Sequence, residues 1–394
     1  MNVLFLSYWG LNDGLTSATV FPHLRILAGF FNVEKIVLVT VERDQTFDRS
    51  AFPLDAKIFH VPLFADRKLP NVAGRMLDFL VFPKKLAALC RKEGIDRLIA
   101  RGAPAGALAM KASRKTGLPF TVESFEPHAQ YMLESGTWKK WDPRYVFQQK
   151  WEREQLNEAE ALMPVTENYR LALIEKGVSA EKLDVIPCCV PLEVFAPNPA
   201  KREDIRSQLN AEGKIIGVYA GKFGGIYYQE EAFEIFSFAF DFFGKDFFLM
   251  ILTPDDPEMV KAHCRKKELD MKRVFTAKVP YAKVPAYLSA ADFAFSLQNP
   301  KPSNLYLSPV KNGEYWAAGL PIVLSDGVGD DHRLVLKEKA GALLKSVDKS
   351  ELQQVFSRID ELLKEDGLKE RMKQLSADHR NFSIARVVYE KWYG

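Results

Sequence analysis

Cysteine is scarce and poorly spaced for structural use: the 394 residues hold four, Cys90, Cys188, Cys189 and Cys264. The adjacent Cys188 and Cys189 are awkwardly placed to pair with each other, and the spacings do not suit a metal site. A disulfide framework is therefore excluded and a reduced, cytoplasmic protein is expected. An excess of charge is missing too. Against 51 Asp and Glu stand 54 Lys and Arg, a formal net charge of +3. A nucleic-acid binder of this size would carry a stronger basic excess or a dense basic stripe, so no nucleic-acid partner is expected. No apolar run approaches the roughly 18 uncharged residues that a membrane-spanning helix needs. The richest stretch, FEIFSFAFDFFGKDFFLMI at 233–251, is broken by Glu234, Asp241, Lys245 and Asp246. It reads as a buried helix, a stop at Gly244 and a strand. The opening MNVLFLSYWG has no basic region and no small-residue cleavage site; it reads as a first buried strand and not as a secretory signal.

What is present is globular. Hydrophobic residues make up 47% and charged residues 27%, in a chain too long for one ordinary domain and comfortable for two. Short apolar runs alternate with amphipathic stretches throughout. Strands are expected at Asn2–Ser7, Lys35–Thr40, Arg97–Ala100 and Phe120–Glu123, with helices at Ala18–Phe31, Ala73–Glu93 and Ala105–Thr116. The alternation resumes from Lys214–Ala220, through helix Glu230–Phe243 and strand Phe247–Leu252, to helix Pro309–Ala318 and strand Pro321–Leu324. Such alternation implies parallel sheets covered by helices on both faces. It occurs twice, and the proline-rich, aperiodic VPLEVFAPNPAKRED separates the two runs as a linker. The expected fold class is α/β, with two doubly wound domains facing across a cleft, and ligands at the carboxyl ends of their strands.

The segment SPVKNGEYWAAGLPIVLSDGVGD (308–330) carries the most chemistry. Ser308 reads as a helix cap with Pro309 at the first helical position, and Gly319 with Pro321 ends the helix. Lys311 then falls in the first turn, the wrong sign for the helix dipole unless an anion sits there on free backbone N–H groups. Glu314 lies one turn on, suited to accept hydrogen bonds from a pair of ribose hydroxyls. A surface ion pair between Lys311 and Glu314 is the equal alternative. In IIGVYAGKFGGIYYQEEAF (215–233), Gly221, Gly224 and Gly225 surround Lys222 between a strand and a helix. There the backbone can approach a ligand closely and the lysine can meet a phosphate. No Gly-Lys-Ser/Thr follows, so the segment is not a P-loop, and a plain tight turn with an exposed lysine is the other reading.

With EYWAAGLPIVLSDGVG (314–329), three further blocks resemble one family in the right order. They are VTENYRLALIEKGVSAEKLDVIPCCVPLEVF (165–195), VPYAKVPAYLSAADFAFSLQ (279–298) and NFSIARVVYEKWY (381–393). The chain resembles the large retaining glycosyltransferase family that contains sucrose synthase and many bacterial polysaccharide transferases, glycosyltransferase family 4-like, with the GT-B fold. The resemblance implies an acceptor-side domain at 1–195, a nucleotide-sugar domain at 196–378 and a terminal helix, 379–394, packed back on the first domain. It implies that Glu314 holds the ribose, that Lys222 contacts the diphosphate together with Gly221, Ser308 and the backbone around Val310 and Lys311, and that the loop at Lys278–Val279 faces the nucleobase. The implied chemistry is transfer of a sugar from a nucleoside diphosphate to a hydroxyl acceptor. Configuration is retained, with no protein nucleophile and no metal or other cofactor, in agreement with the lack of an Asp-X-Asp motif. Two positions depart from the family pattern: Tyr306 stands where an acidic donor-sugar contact is common, and Tyr227 stands near the second diphosphate lysine, a cation that Lys311 would replace.

The first half would hold the acceptor, whether glycan, lipid-linked or protein. The loop Gly10–Gly14 follows the first strand; the resemblance implies that this loop, with Gly14, approaches the donor phosphates and the acceptor, and an ordinary strand–helix turn is the equal alternative. ESFEPHAQYM (123–132) places Glu123, Glu126 and His128 at a strand's carboxyl end; the resemblance implies that Glu126 and His128 lie on the acceptor side, where related enzymes carry a histidine, and a structural histidine is the other reading. WKKWDPRYVFQQKW (138–151) interleaves aromatics with cations. Packing on the domain is favoured over contact with the inner face of a membrane. Two other activities fit the same residues: a non-catalytic sugar-nucleotide-binding scaffold, and a GT-B epimerase or inverting transferase.

Overall fold

A computed structural model describes residues 1–14, 16–43, 55–65 and 71–394. The chain forms two compact units, Met1–Cys189 with Phe382–Gly394, and Val190–Asn381. The first contains β1 (Asn2–Ser7), α1 (Phe21–Ala28), β2 (Lys35–Glu42), β3 (Ile58–Phe64), α2 (Asn71–Glu93), β4 (Arg97–Arg101), α3 (Ala103–Thr116), β5 (Phe120–Phe125), α4 (His128–Glu134), α5 (Pro143–Glu158), β6 (Ala161–Pro164) and α6 (Glu167–Glu175). Its strands run parallel in the order β3-β2-β1-β4-β5-β6. β1 is NVLFLS with five of its six residues buried. Such continuous apolar runs are what strands covered on both faces require.

The second unit follows with α7 (Leu192–Phe195), α8 (Pro199–Gln208), β7 (Ile215–Ala220), α9 (Glu230–Phe243), β8 (Phe247–Leu252), α10 (Pro257–Lys266), β9 (Val274–Ala277), α11 (Val284–Ala290), β10 (Phe293–Ser296), α12 (Val310–Ala317), β11 (Ile322–Ser325), α13 (Asp331–Lys337), β12 (Gly341–Leu344), α14 (Lys349–Leu363) and α15 (Leu368–Arg380). The order β12-β11-β10-β7-β8-β9 repeats the topology of the first sheet, again wholly parallel. β8, FFLMIL, is buried along its whole length. α9 turns Phe233, Phe236 and Phe240 inward, each worth ~1.5–3 kcal/mol when fully buried, and Gly244, at φ +61°, ends it. Gly217 in β7 has no room for a side chain: a Cβ would lie 2.8 Å from Phe295, 2.9 Å from Phe293 and 3.0 Å from Phe247.

The last helix, α16 (Phe382–Tyr393), belongs to the first unit, where Ala385, Tyr389 and Tyr393 join the core of β1, β2 and α1. The units divide at 189/190 and 381/382, not at the sequence-read 195/196 and 378/379. The reason is local. The Val190 N–H donates to the Arg380 carbonyl at 2.8 Å, and Phe195 is fully buried in the second unit's core. The first helix also differs from the expected Ala18–Phe31. Thr16–Val20 is wound as a π-helix and α1 is confined to Phe21–Ala28. β3, β6 and β12 went unread in the sequence.

Candidate functional site

In each sheet the strand order reverses beside the first strand of the unit, between β1 and β4 and between β7 and β10. The carboxyl ends of the strands at these points are where doubly wound sheets bind ligands.

In the second unit, β7 runs out at Ala220 into Gly221, whose φ of +148° lies outside what a side-chain-bearing residue readily adopts. The loop 221–229 is pinned at several points. The Phe223 N–H donates to Asp255 Oδ2 at 2.7 Å, the Tyr219 hydroxyl donates to the Lys222 carbonyl at 2.6 Å, and Tyr227 bridges to Gln298 beyond β10. Tyr315 of α12 ties this loop's root to the helix. Its buried hydroxyl accepts from the Ala220 N–H at 2.9 Å. Lys222 itself is exposed.

α12 begins at Val310, with Pro309 in the capping position and no side-chain cap. This corrects the expected cap. Ser308 is buried and its Oγ is bound by Arg380, which also pairs with Asp331, while Asp331 accepts from Asn312 at 2.7 Å. The start of α12 is thus fixed by a buried network from α13 and α15 and not by a local cap. Asp331, Arg380, Asn312 and Tyr315 were not singled out in the sequence, because their partners lie 19 to 95 residues away.

Lys311 and Glu314 are both buried, so the surface ion pair is not what forms. Lys311 Nζ has no hydrogen-bond partner among the described residues. It lies 4.3 Å from the Tyr227 ring centroid and 5.1 Å from that of Tyr219, and 3.6 Å from where a Cβ on Gly221 would be. The helix start, the glycine loop and the lysine therefore come together. Tyr227, one of the two positions at which the sequence departs from the family pattern, forms one wall of the ammonium's pocket. Burial lowers the Lys311 ammonium to about 7, with the Glu314 charge opposing. Burial likewise raises Glu314 to about 7, opposed by a hydrogen bond from Tyr281 and by Lys311. Val279 is half-buried against the same core, Tyr306 ends the short helical turn Pro302–Tyr306, and Val310 packs on the core at the start of α12. An unpartnered buried cation at a helix N-terminus, next to a glycine that admits close approach, is a site for an anion.

In the first unit, β5 ends with a register shift at Glu123/Phe125 and a left-handed Ser124, φ +49°. The three expected residues part here. Glu123 is fully buried. It pairs with Arg101 at 2.8 Å, accepts from the Tyr389 hydroxyl of α16 and lies beside His23. It is structural, which corrects its grouping with the other two. Glu126 and His128 line a 260 Å³ cavity walled by Tyr8, Phe79, Trp138 and Trp151, with Arg43 and Arg144 also in its lining. Burial raises the Glu126 carboxyl to about 7 against the pull of Arg101, and burial lowers the His128 imidazole to about 4. His128 also stands edge-on to Trp138, centroids 5.5 Å apart. Gly14 is exposed and outside this lining, with open space where a side chain would be. Trp138 and Trp151 pack inward, whereas Trp141, Val146 and Phe147 of the same segment are exposed, Trp141 by 75%. Among the described residues no helix is long and apolar enough to cross a membrane.

This architecture is the GT-B fold of glycosyltransferases, two Rossmann-like α/β units in one chain. Residues 33–189, most of the first unit, match the family description "Glycosyl transferase 4-like domain". The resemblance read from the sequence is borne out. Among solved structures, the chain is similar to sucrose-phosphate synthase from Thermosynechococcus elongatus, at TM-score 0.74 and 17% identity, over 100% of this chain and 98% of that one. It is also similar to the HepE protein of Anabaena in complex with UDP, at TM-score 0.71 and 14% identity, over 100% and 99%. A third is WaaG, a glycosyltransferase involved in lipopolysaccharide biosynthesis, at TM-score 0.72 and 15% identity, over 100% of both chains. No curated protein matches the sequence.

Proposed function

We propose that the chain is a glycosyltransferase that moves a sugar from a nucleoside diphosphate to a hydroxyl acceptor with retention of configuration, in bacterial glycan or glycoconjugate synthesis. The observation that carries this reading is the buried, unpartnered Lys311 ammonium at the start of α12, facing Gly221 and one turn from Glu314. The second unit takes the donor. Lys311, with Lys222 on the glycine loop, neutralises the diphosphate; the first-turn N–H groups of α12 add to this; Glu314 accepts from the ribose hydroxyls. Val279 lies beside the base and Tyr306 beside the donor sugar. A UDP complex of a structure with the same fold accords with such a donor. The first unit takes the acceptor in the aromatic cavity, with Glu126 and His128 directed to its hydroxyls.

In the reaction, the bond from the anomeric carbon to the diphosphate oxygen breaks and a bond to the acceptor oxygen forms on the same face. The acceptor proton passes to the departing diphosphate, and the two lysines stabilise the charge that develops there. No protein nucleophile and no metal enters the scheme. The exposed Trp141, Val146 and Phe147, near Lys139 and Lys140, supply a peripheral contact with an anionic membrane surface on the cytoplasmic side. Sedimentation with anionic and neutral vesicles tests that contact.

The test of the donor site is thermal stabilisation by UDP, GDP, ADP, TDP and CMP and their sugar conjugates. A ligand at about one hundred times its Kd adds about 2.7 kcal/mol. One strong shift identifies the donor class, and NMR of the product's anomeric proton then reports retention. No shift from any of them overturns the reading. Binding without turnover would instead make the chain a sugar-nucleotide-binding scaffold, the reading that Tyr227 at the position of a family lysine favours.

A further inference from the structure

Glu314 does not wait with both oxygens open. The Tyr281 hydroxyl donates to Glu314 Oε1 at 2.7 Å, across 33 residues of sequence. Tyr281 opens the turn Tyr281–Lys283 between β9 and α11. Its ring is held edge-on against Phe195, centroids 6.0 Å apart, and Phe195 is itself fully buried. α7, which carries Phe195, packs on both α11 and α12. The phenol is therefore aimed by the core, although the residue as a whole remains 38% exposed. A hydroxyl donated to one carboxylate oxygen restrains rotation of that carboxylate and favours its ionised form. It also leaves the second oxygen to a ligand.

We propose that Tyr281 is the positioning residue of the ribose site: it fixes the Glu314 carboxylate so that Oε2 is presented to a ribose hydroxyl, and it thereby sets the preference for ribo- over 2′-deoxyribonucleotides. This inference rests on the reading of Glu314 as the ribose group and adds to it a residue from a different element. Tyr281 makes its contribution through Glu314 and not through the transferred sugar. Its loss should appear in nucleotide recognition and in KM, with kcat little changed.

The experiment measures Kd for UDP, GDP and ADP and their 2′-deoxy counterparts by calorimetry, on wild type, Tyr281→Phe, Glu314→Gln and the double variant. Thermal unfolding without nucleotide checks that each variant folds. Tyr281→Phe removes only the hydroxyl of a partly exposed ring, so folding is expected to survive. For the diphosphate that wild type binds best, Tyr281→Phe should weaken binding by about tenfold, the scale of one hydrogen bond to a charged group. The ratio of 2′-deoxy to ribo Kd should fall toward one. Glu314→Gln should abolish the preference, and the double variant should then equal Glu314→Gln, since the tyrosine has nothing left to position. If Tyr281→Phe keeps the wild-type ratio, or binds more tightly, while Glu314→Gln loses the ratio, the inference falls alone. The tyrosine is then a competitor that the nucleotide displaces. If Glu314→Gln also keeps the ratio, the ribose reading falls first and takes the inference with it.

Discussion

Replacing Lys311 with methionine should make the protein more stable and the donor site worse. The side chain is buried and its ammonium has no hydrogen-bond partner among the described residues. Burial holds it at about 7 against an ordinary 10.5. The folded-state value lies below the unfolded one, so the unfolded chain binds the extra proton between these limits. The penalty is full below pH 7 and vanishes as pH rises through 10.5. At pH 7.5 it disfavours the folded state by up to about 4 kcal/mol. The ring faces of Tyr227 at 4.3 Å and Tyr219 at 5.1 Å return about 1–2 kcal/mol of this. Methionine fills similar space with no charge, so about 2 kcal/mol should be gained, read as a higher urea midpoint for the transition that involves the second unit. Diphosphate affinity should fall by about ten- to a hundredfold, the value of a charge-assisted hydrogen bond. A lysine kept for structure would show the reverse: a lower midpoint and unchanged affinity. That result would refute the anion site.

Three other outcomes follow from the same geometry. At pH 8 the free Lys311 is mostly neutral, so diphosphate binding should take up close to one proton. Calorimetry in buffers of different ionisation heat measures the uptake, which should disappear in Lys311→Met. Glu126→Gln should stabilise the protein by about 1–2 kcal/mol at pH 8.5 and not at all below pH 4.5. Its carboxyl is raised to about 7 in the fold, so the stability it contributes is lost as pH rises through that value, and urea midpoints at the two pH values check this. Tyr389→Phe should cost about 1–3 kcal/mol, because the buried Glu123 and His23 both lose the hydroxyl they share; chemical unfolding monitored in the first unit reads the loss.

The periodicity was most legible where elements are long and apolar on one side. α9 and β8 fall where FEIFSFAF and FFLMI place them, because a run of phenylalanines admits few other arrangements. β6 (ALMP) and β12 (GALL) went unread because one ends on a proline and the other opens on a glycine, residues that argue against a strand. Around α12, Gly319 and Pro321 delimit the helix correctly, and Lys311, Glu314 and Gly221 lie in one region. Ser308 misled because its hydroxyl answers Arg380, 72 residues on, and not the helix. Tyr281 and Tyr315 were invisible for the same reason: each acts through a hydroxyl on a partner 33 or 95 residues distant. The aromatic cavity of the first unit draws its walls from the ends of β1, β4 and β5 and from α2 and α5, so only Glu126 and His128, which sit on a strand end, could be picked out.

The return of α16 bears on how the chain matures. The second unit, 190–381, is an insertion within the first. Glu123 and His23 are buried charge and imidazole whose shared partner, the Tyr389 hydroxyl, is 266 and 366 residues away, and Thr121 meets Tyr393 across 272. On the ribosome, the first sheet is translated before the second unit but must wait for α16, on the far side of that unit, before its polar centre is satisfied. During that interval, at ~5–20 residues per second, the second unit can fold as a continuous piece while the first stays unfinished. The unit begun before the insertion is closed by a helix made after it.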